Sequence, residues 1–174
     1  MKKKDILISL AIIAASGLSL LYYLQRKGFV GIDAGGADAL LHLNSSWPTS
    51  AIIASGDEPA AISARIYRPK LLSLSMGQDG HKWRIESRGP WADISKINVR
   101  KNEATALRLG PPFLIKSEVS KNGAIISINY AIIGQAGEQY QNFITKDNRA
   151  VTGAKIKIVD EEGNVLKSAI FTYG

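Results

Sequence analysis

From residue 39 to residue 174 the chain alternates apolar and polar side chains with a period of two and shows no stripe at helical spacing. Successive side chains of a strand point to opposite faces, so this pattern gives extended chain one face to bury and one to leave in water. In Ala61–Tyr67, Ile62, Ala64 and Ile66 oppose Ala61, Ser63 and Arg65. In Leu71–Met76, Leu72, Leu74 and Met76 oppose Leu71, Ser73 and Ser75. In Lys82–Arg88, Trp83, Ile85 and Ser87 oppose Lys82, Arg84, Glu86 and Arg88. Gln78-Asp79-Gly80 reads as the turn of a hairpin joining the last two. Pro69 has no N–H to give a ladder and reads as a break or an edge.

Shorter strands are expected at Ile94–Val99 and Thr105–Leu109. Phe113–Val119 and Ala124–Ile133 read as a second hairpin closed by Lys121-Asn122-Gly123, with Ile126, Ile128, Tyr130 and Ile132 on one face. Gly134–Gly153 reads as a long polar excursion with an apolar patch between Tyr140 and Ile144. A last hairpin, Ala154–Val159 and Val165–Tyr173, would tie the C-terminal end into the sheet. About eight short strands with regular turn signals predict an all-β fold. The expected form is an antiparallel β-sandwich, immunoglobulin-like in general architecture, with an open barrel as the alternative. Residues 39–174 are read as one domain with a sub-boundary at Gly110-Pro111-Pro112. Separate halves of roughly 60–70 residues would be marginal for cores of their own.

Ahead of this region, Ile6–Leu24 is an uncharged run of 19 residues between Lys2-Lys3-Lys4-Asp5 and Gln25-Arg26-Lys27. At about 1.5 Å per residue, a helix of that length nearly crosses the ~30 Å hydrocarbon layer of a bilayer. We read residues 1–27 as a signal anchor with a single-pass transmembrane helix at 6–24, Tyr22-Tyr23 lying at headgroup level. The alternative is a cleaved signal peptide with its core at Ile6–Ala14 and cleavage after Ala15-Ser16-Gly17. That cut would leave the apolar stretch Leu18–Leu24 as the new N-terminus. A pilin stem is rejected, because the apolar run precedes Lys27-Gly28-Phe29 instead of following it. The larger cationic flank is N-terminal, which predicts an N-terminus inside the cytoplasmic membrane and an extracytoplasmic, periplasmic C-terminal domain. Ala11 and Ala15 have the i, i+4 spacing that lets another helix approach closely. Gly28, Gly31, Gly35 and Gly36 predict a flexible linker over 28–38.

The formal charge is +7. Five basic residues against one acid in residues 1–27 supply more than half of it. The remainder of the chain has no basic run longer than Arg100-Lys101, which argues against a nucleic-acid partner. The chain has no cysteine, so disulfides, thiolate metal sites, thiol nucleophiles and a lipoprotein anchor are excluded.

The catalytic motifs sought are missing. Gly31-Ile32-Asp33-Ala34-Gly35-Gly36 resembles the phosphate-binding opening of actin-like sugar kinases, but that fold needs two large domains that this length cannot hold. His42 and His81 are the only histidines and stand in no zinc-binding spacing. Asp57-Glu58 and Asp160-Glu161-Glu162-Gly163-Asn164 read as turns, the second a poor match to a calcium loop. No catalytic residue, metal site or cofactor is assigned. Candidate binding residues are Tyr67, Arg68, Trp83, Arg84 and Trp91, because aromatic rings beside guanidinium groups suit glycan stacking or a protein interface. The alternation that groups Trp83 with Ile85 equally suits a core position.

Tyr67-Arg68-Pro69, Ser87-Arg88-Gly89-Pro90-Trp91, Leu109-Gly110-Pro111-Pro112-Phe113, Gly134-Gln135-Ala136-Gly137-Glu138-Gln139-Tyr140 and Ile156–Leu166 carry a resemblance over roughly residues 47–174. They resemble bacterial envelope proteins without assigned activity that combine an N-terminal signal or anchor with a β-rich outer domain. Ile156–Leu166 also resembles the terminal hairpin of carboxypeptidase-regulatory-like sandwich modules. The resemblance implies an envelope β-domain and no catalytic residues. The functional expectation is a non-enzymatic, membrane-anchored domain that binds another envelope component, protein or glycan. The alternative is a small single-pass accessory subunit of a larger membrane complex. A hydrolase with an unrecognised site is the enzymatic alternative.

Overall fold

The computed structural model describes residues 26–46, 50–123, 125–140, 144–151, 153 and 155–170. The anchor at 6–24, its cleavage site and the Ala11–Ala15 pair lie outside them. The described residues are all-β, with no helix. The strands are β1 (Lys27–Asp33), β2 (Asp38–Asn44), β3 (Ser50–Ala54), β4 (Ala60–Ser63), β5 (Ile66–Gln78), β6 (His81–Arg88), β7 (Ile97–Asn98) and β8 (Ala104–Arg108). They continue with β9 (Leu114–Asn122), β10 (Ile125–Ile133), β11 (Gln139–Tyr140), β12 (Ile144–Lys146), β13 (Arg149–Ala150), β14 (Lys155–Val159) and β15 (Val165–Ile170).

The largest sheet runs β13-β12-β6-β5-β2-β3, with β7 also pairing β5. A second runs β4-β1-β8, a third β11-β10-β9, and β14-β15 stand as a pair. All pairings are antiparallel except β1 with β8, which is parallel. The alternation read from the sequence sets which face is inside. Leu41 and Leu43 of β2, Ile53 of β3 and Leu72 and Leu74 of β5 are buried. They join Val30 and Ile32 of β1 and Leu107 of β8 in one core cluster. Each such side chain contributes roughly 1.5–3 kcal/mol by leaving water.

The β5–β6 hairpin forms as expected. Gln78 pairs His81, and Asp79 and Gly80 both have positive φ, 52° and 74°. Positive φ at both turn positions gives the backbone twist that lets two strands close over two residues.

Five expectations are corrected. Ala61–Tyr67 is not one strand: it divides between β4 and the start of β5, and Tyr67 is buried where Ile66 is exposed. Residues 28–38 are no linker: Lys27–Asp33 is a strand with Val30 at 0 % exposure. Its glycines serve close packing, since a Cβ on Gly28 would collide with the carbonyl oxygen of Arg100. Pro69 does not break the chain; β5 runs through it, and the register against β2 shifts between His42 and Leu43, with Leu43 opposite Pro69. Ile94–Val99 shortens to the two residues of β7, although Ile97 and Val99 are core. The C-terminal hairpin forms but is not tied into the main sheet: among the described residues β14 and β15 pair only with each other.

Candidate functional site

The largest sheet carries its apolar face past the end of the core. Directly opposed residues share a face, so the pairs Leu74–Ile85, Met76–Trp83, Ile85–Ile144 and Trp83–Lys146 place one side-chain row across β5, β6 and β12. Leu74 is buried, Trp83, Ile85 and Ile144 are half-buried, and Met76 is exposed. Where the row emerges, Pro111 and Phe113 rise beside it and close a cleft of 230 Å³. Its lining is mainly apolar. At the rim, the Lys146 ammonium lies 5.4 Å from the centroid of the Trp83 ring, a cation–π distance. Arg84 borders the cleft, its Nη2–H donating to Glu86 Oε1 at 2.6 Å.

The wall is held by a buried acid. Glu138 is 0 % exposed. Its Oε1 accepts from the Gly110 N–H and from the Tyr140 hydroxyl at 3.1 Å, and its Oε2 accepts from the Ala136 N–H at 2.7 Å. A Cβ on residue 134 would strike the Glu138 side chain, so Gly134 makes room for it. Gln135 reinforces the link by donating its N–H to Gly110 O at 3.1 Å and its Nε2–H to Pro111 O at 2.5 Å. Phe113 packs edge-on against Tyr140, centroids 5.2 Å apart. Burial, and then the neighbouring Glu138 carboxyl, push the Tyr140 phenol above its ordinary pKa. Glu138 thus fixes the segment that carries Pro111 and Phe113.

The structure separates the five candidate binding residues. Tyr67 is core, 2 % exposed, with its hydroxyl donating to Ser63 O at 3.1 Å. Trp91 is core, 4 % exposed, with Nε1–H donating to Ser87 Oγ at 2.9 Å. Trp83 and Arg84 meet at the cleft. Arg68 is exposed in a different depression, with Lys70, Lys96 and Pro69. Trp83 and Trp91, eight positions apart, therefore do not form one platform.

His42 is half-buried on β2 opposite Ile52 and Leu71. His81 Nδ1 lies 2.8 Å from Asp147 Oδ2, and the Lys82 N–H donates to Asp147 Oδ1 at 2.9 Å. These bonds, the backbone one first, hold the Asp147 carboxyl below the usual range. The Asp160 carboxyl is also lowered: its Oδ2 accepts from the Asn164 Nδ2–H at 3.0 Å, and its Oδ1 from the N–H groups of Asn164 at 2.8 Å and Glu162 at 3.1 Å. Among the described residues, no group of three or more His, Asp and Glu is placed to hold a metal ion. Comparison with family models, with curated proteins and with solved structures gives no match to this chain.

Proposed function

We propose that this chain is a membrane-anchored, extracytoplasmic β-domain whose task is to bind another component of the cell envelope without catalysis. In this reading residues 6–24 anchor it, and the strands form a sandwich of immunoglobulin-like general architecture. The two facing sets of apolar residues on β1–β8 and β2–β5, joined in one cluster, support the sandwich. The observation that carries the binding role is the cleft of Met76, Trp83, Ile144, Pro111 and Phe113, apolar inside and cationic at its rim. Aromatic and thioether groups suit an apolar side chain, and the Lys146 ammonium over Trp83 suits acidic neighbours on the same segment. The partner is therefore a protein segment presenting an apolar residue flanked by acids.

The test uses the full chain in its native membrane with a photo-crosslinking residue at Met76, and at Ile52 on the opposite face as control. The reading requires one protein adduct from position 76 that is absent from position 52. It also requires that Trp83→Ala abolish that adduct while thermal unfolding of the chain changes little. Equal labelling from both positions, or an adduct indifferent to Trp83→Ala, sinks it. The accessory-subunit reading rests on Ala11 and Ala15, and Ala11→Leu with Ala15→Leu would then release the chain from a large detergent-extracted complex.

A further inference from the structure

The β9–β10 hairpin leaves an edge open. Among the described residues β9 pairs only with β10, and all nine of its residues are exposed. A strand edge of this length presents a row of unpaired N–H and C=O groups, which is a template for another strand. The hairpin has two unlike faces. Ile115 and Val119 of β9 join Ile126 and Ile128 of β10 on one, with Ile115 70 % and Val119 66 % exposed. Lys116, Glu118 and Ser120 join Ser127 and Asn129 on the other, with Leu114 and Ile133 at one end of that face and Ile125 at the other.

The order of residues along β9 selects its occupant. When two copies of β9 lie antiparallel about a two-fold axis through Ser117, Lys116 of each copy faces Glu118 of the other, and Ile115 of each faces Val119 of the other. Opposite charges and apolar pairs then meet twice each by symmetry. A slip of two residues one way sets Lys116 against Lys116; a slip of two the other way sets Glu118 against Glu118. A slip of one would set the Lys116–Glu118 face of one copy against the Ile115–Val119 face of the other. Within one copy the Lys116 ammonium and the Glu118 carboxylate lie 4.0 Å apart on one face, so both charges already sit beside the axis. We propose that this protein forms a homodimer in which β9 pairs antiparallel with β9 of a second copy, with Ser117 on the two-fold axis. The pairing continues the β11-β10-β9 sheet into its symmetry mate and makes one apolar face from Ile115, Val119, Ile126 and Ile128 of both copies.

The chain has no cysteine, so a single one reports the register. In the full chain, purified in mild detergent, Ser117→Cys places two thiols directly opposite, at a cross-strand Cβ separation of about 4.5–5.5 Å. Mild oxidation is expected to convert most of the chain to a disulfide-linked dimer. Ser120→Cys, whose two copies would lie roughly 20 Å apart, is expected to stay monomeric on a non-reducing gel. By light scattering, Lys116→Glu and Glu118→Lys should each weaken dimerisation roughly tenfold or more, and the double variant should recover it. Both positions are exposed, so the thermal melt of each variant should stay close to that of the parent. A monomeric parent overturns the proposal. So does a dimer that Ser117→Cys fails to trap above the Ser120→Cys level, or one in which the double variant binds no better than the single ones.

Discussion

Glu138 is the residue on which the cleft most depends, and nothing in its local pattern marks it. Its neighbours Gly134, Gly137 and Gln139 read as a polar loop. Its burial is decided by the Gly110 N–H, which lies 28 positions away and has no sequence signature. Removing the carboxyl leaves two buried N–H groups and a hydroxyl without their acceptor, and each such loss costs about 1–3 kcal/mol. Glu138→Gln keeps one acceptor oxygen but sets an amide against the Ala136 N–H. It should cost about 1–3 kcal/mol, and Glu138→Ala about 3 kcal/mol or more, read from urea unfolding midpoints. Trp83 and Trp91 show the same limit from the other side. Alternation correctly puts Trp83 on the inner row with Ile85, yet only the end of the core determines that Trp83 borders an open cleft while Trp91 is enclosed.

Hairpins were the most legible elements, because their contacts are local and their turns need particular backbone angles. Asp79-Gly80 was readable for that reason, whereas β1 was not. Its glycines imitate a linker, and its partners β4 and β8 lie far along the chain. The β12–β13 turn, with Asp147 and Asn148 at φ 51° and 63°, was likewise hidden in a polar stretch. It is clamped to the β5–β6 turn, since Asp147 takes the Lys82 N–H and His81 and returns its own N–H to Lys82 O at 2.8 Å. The Asp147 carboxyl is held below its ordinary value, so the unfolded chain binds its proton at higher pH than the folded one. The clamp's contribution is therefore present above the ordinary carboxylate range and fades as pH falls through the depressed folded value. Asp147→Asn should flatten the stability curve between those limits and leave its shape at neutral pH unchanged, as followed by thermal melts across acid pH. A parent and variant with parallel curves in that range would refute the clamp.

At the scale of the molecule, hydrogen bonds cross the Gly110-Pro111-Pro112 segment. Glu138 bonds Gly110, Gln135 bonds Pro111, and β12 pairs β6. Thermal unfolding followed by far-ultraviolet dichroism and by tryptophan fluorescence should therefore give coincident midpoints for the parent. Leu72→Ala, which empties a fully buried position, should cost about 2–5 kcal/mol of stability and lower both midpoints together. Separate midpoints would mean that the two sides of the segment unfold independently. By itself the sequence determined the β class, the inward face of the β5–β6 hairpin and the main hairpins, because a period of two and a positive-φ turn are properties of a few neighbouring residues. Only the tertiary structure decided that a glycine-rich segment is a core strand parallel to β8, that Glu138 is buried, and where the apolar face opens. Each of these depends on backbone groups brought together from distant parts of the chain, and no local pattern encodes which groups will meet.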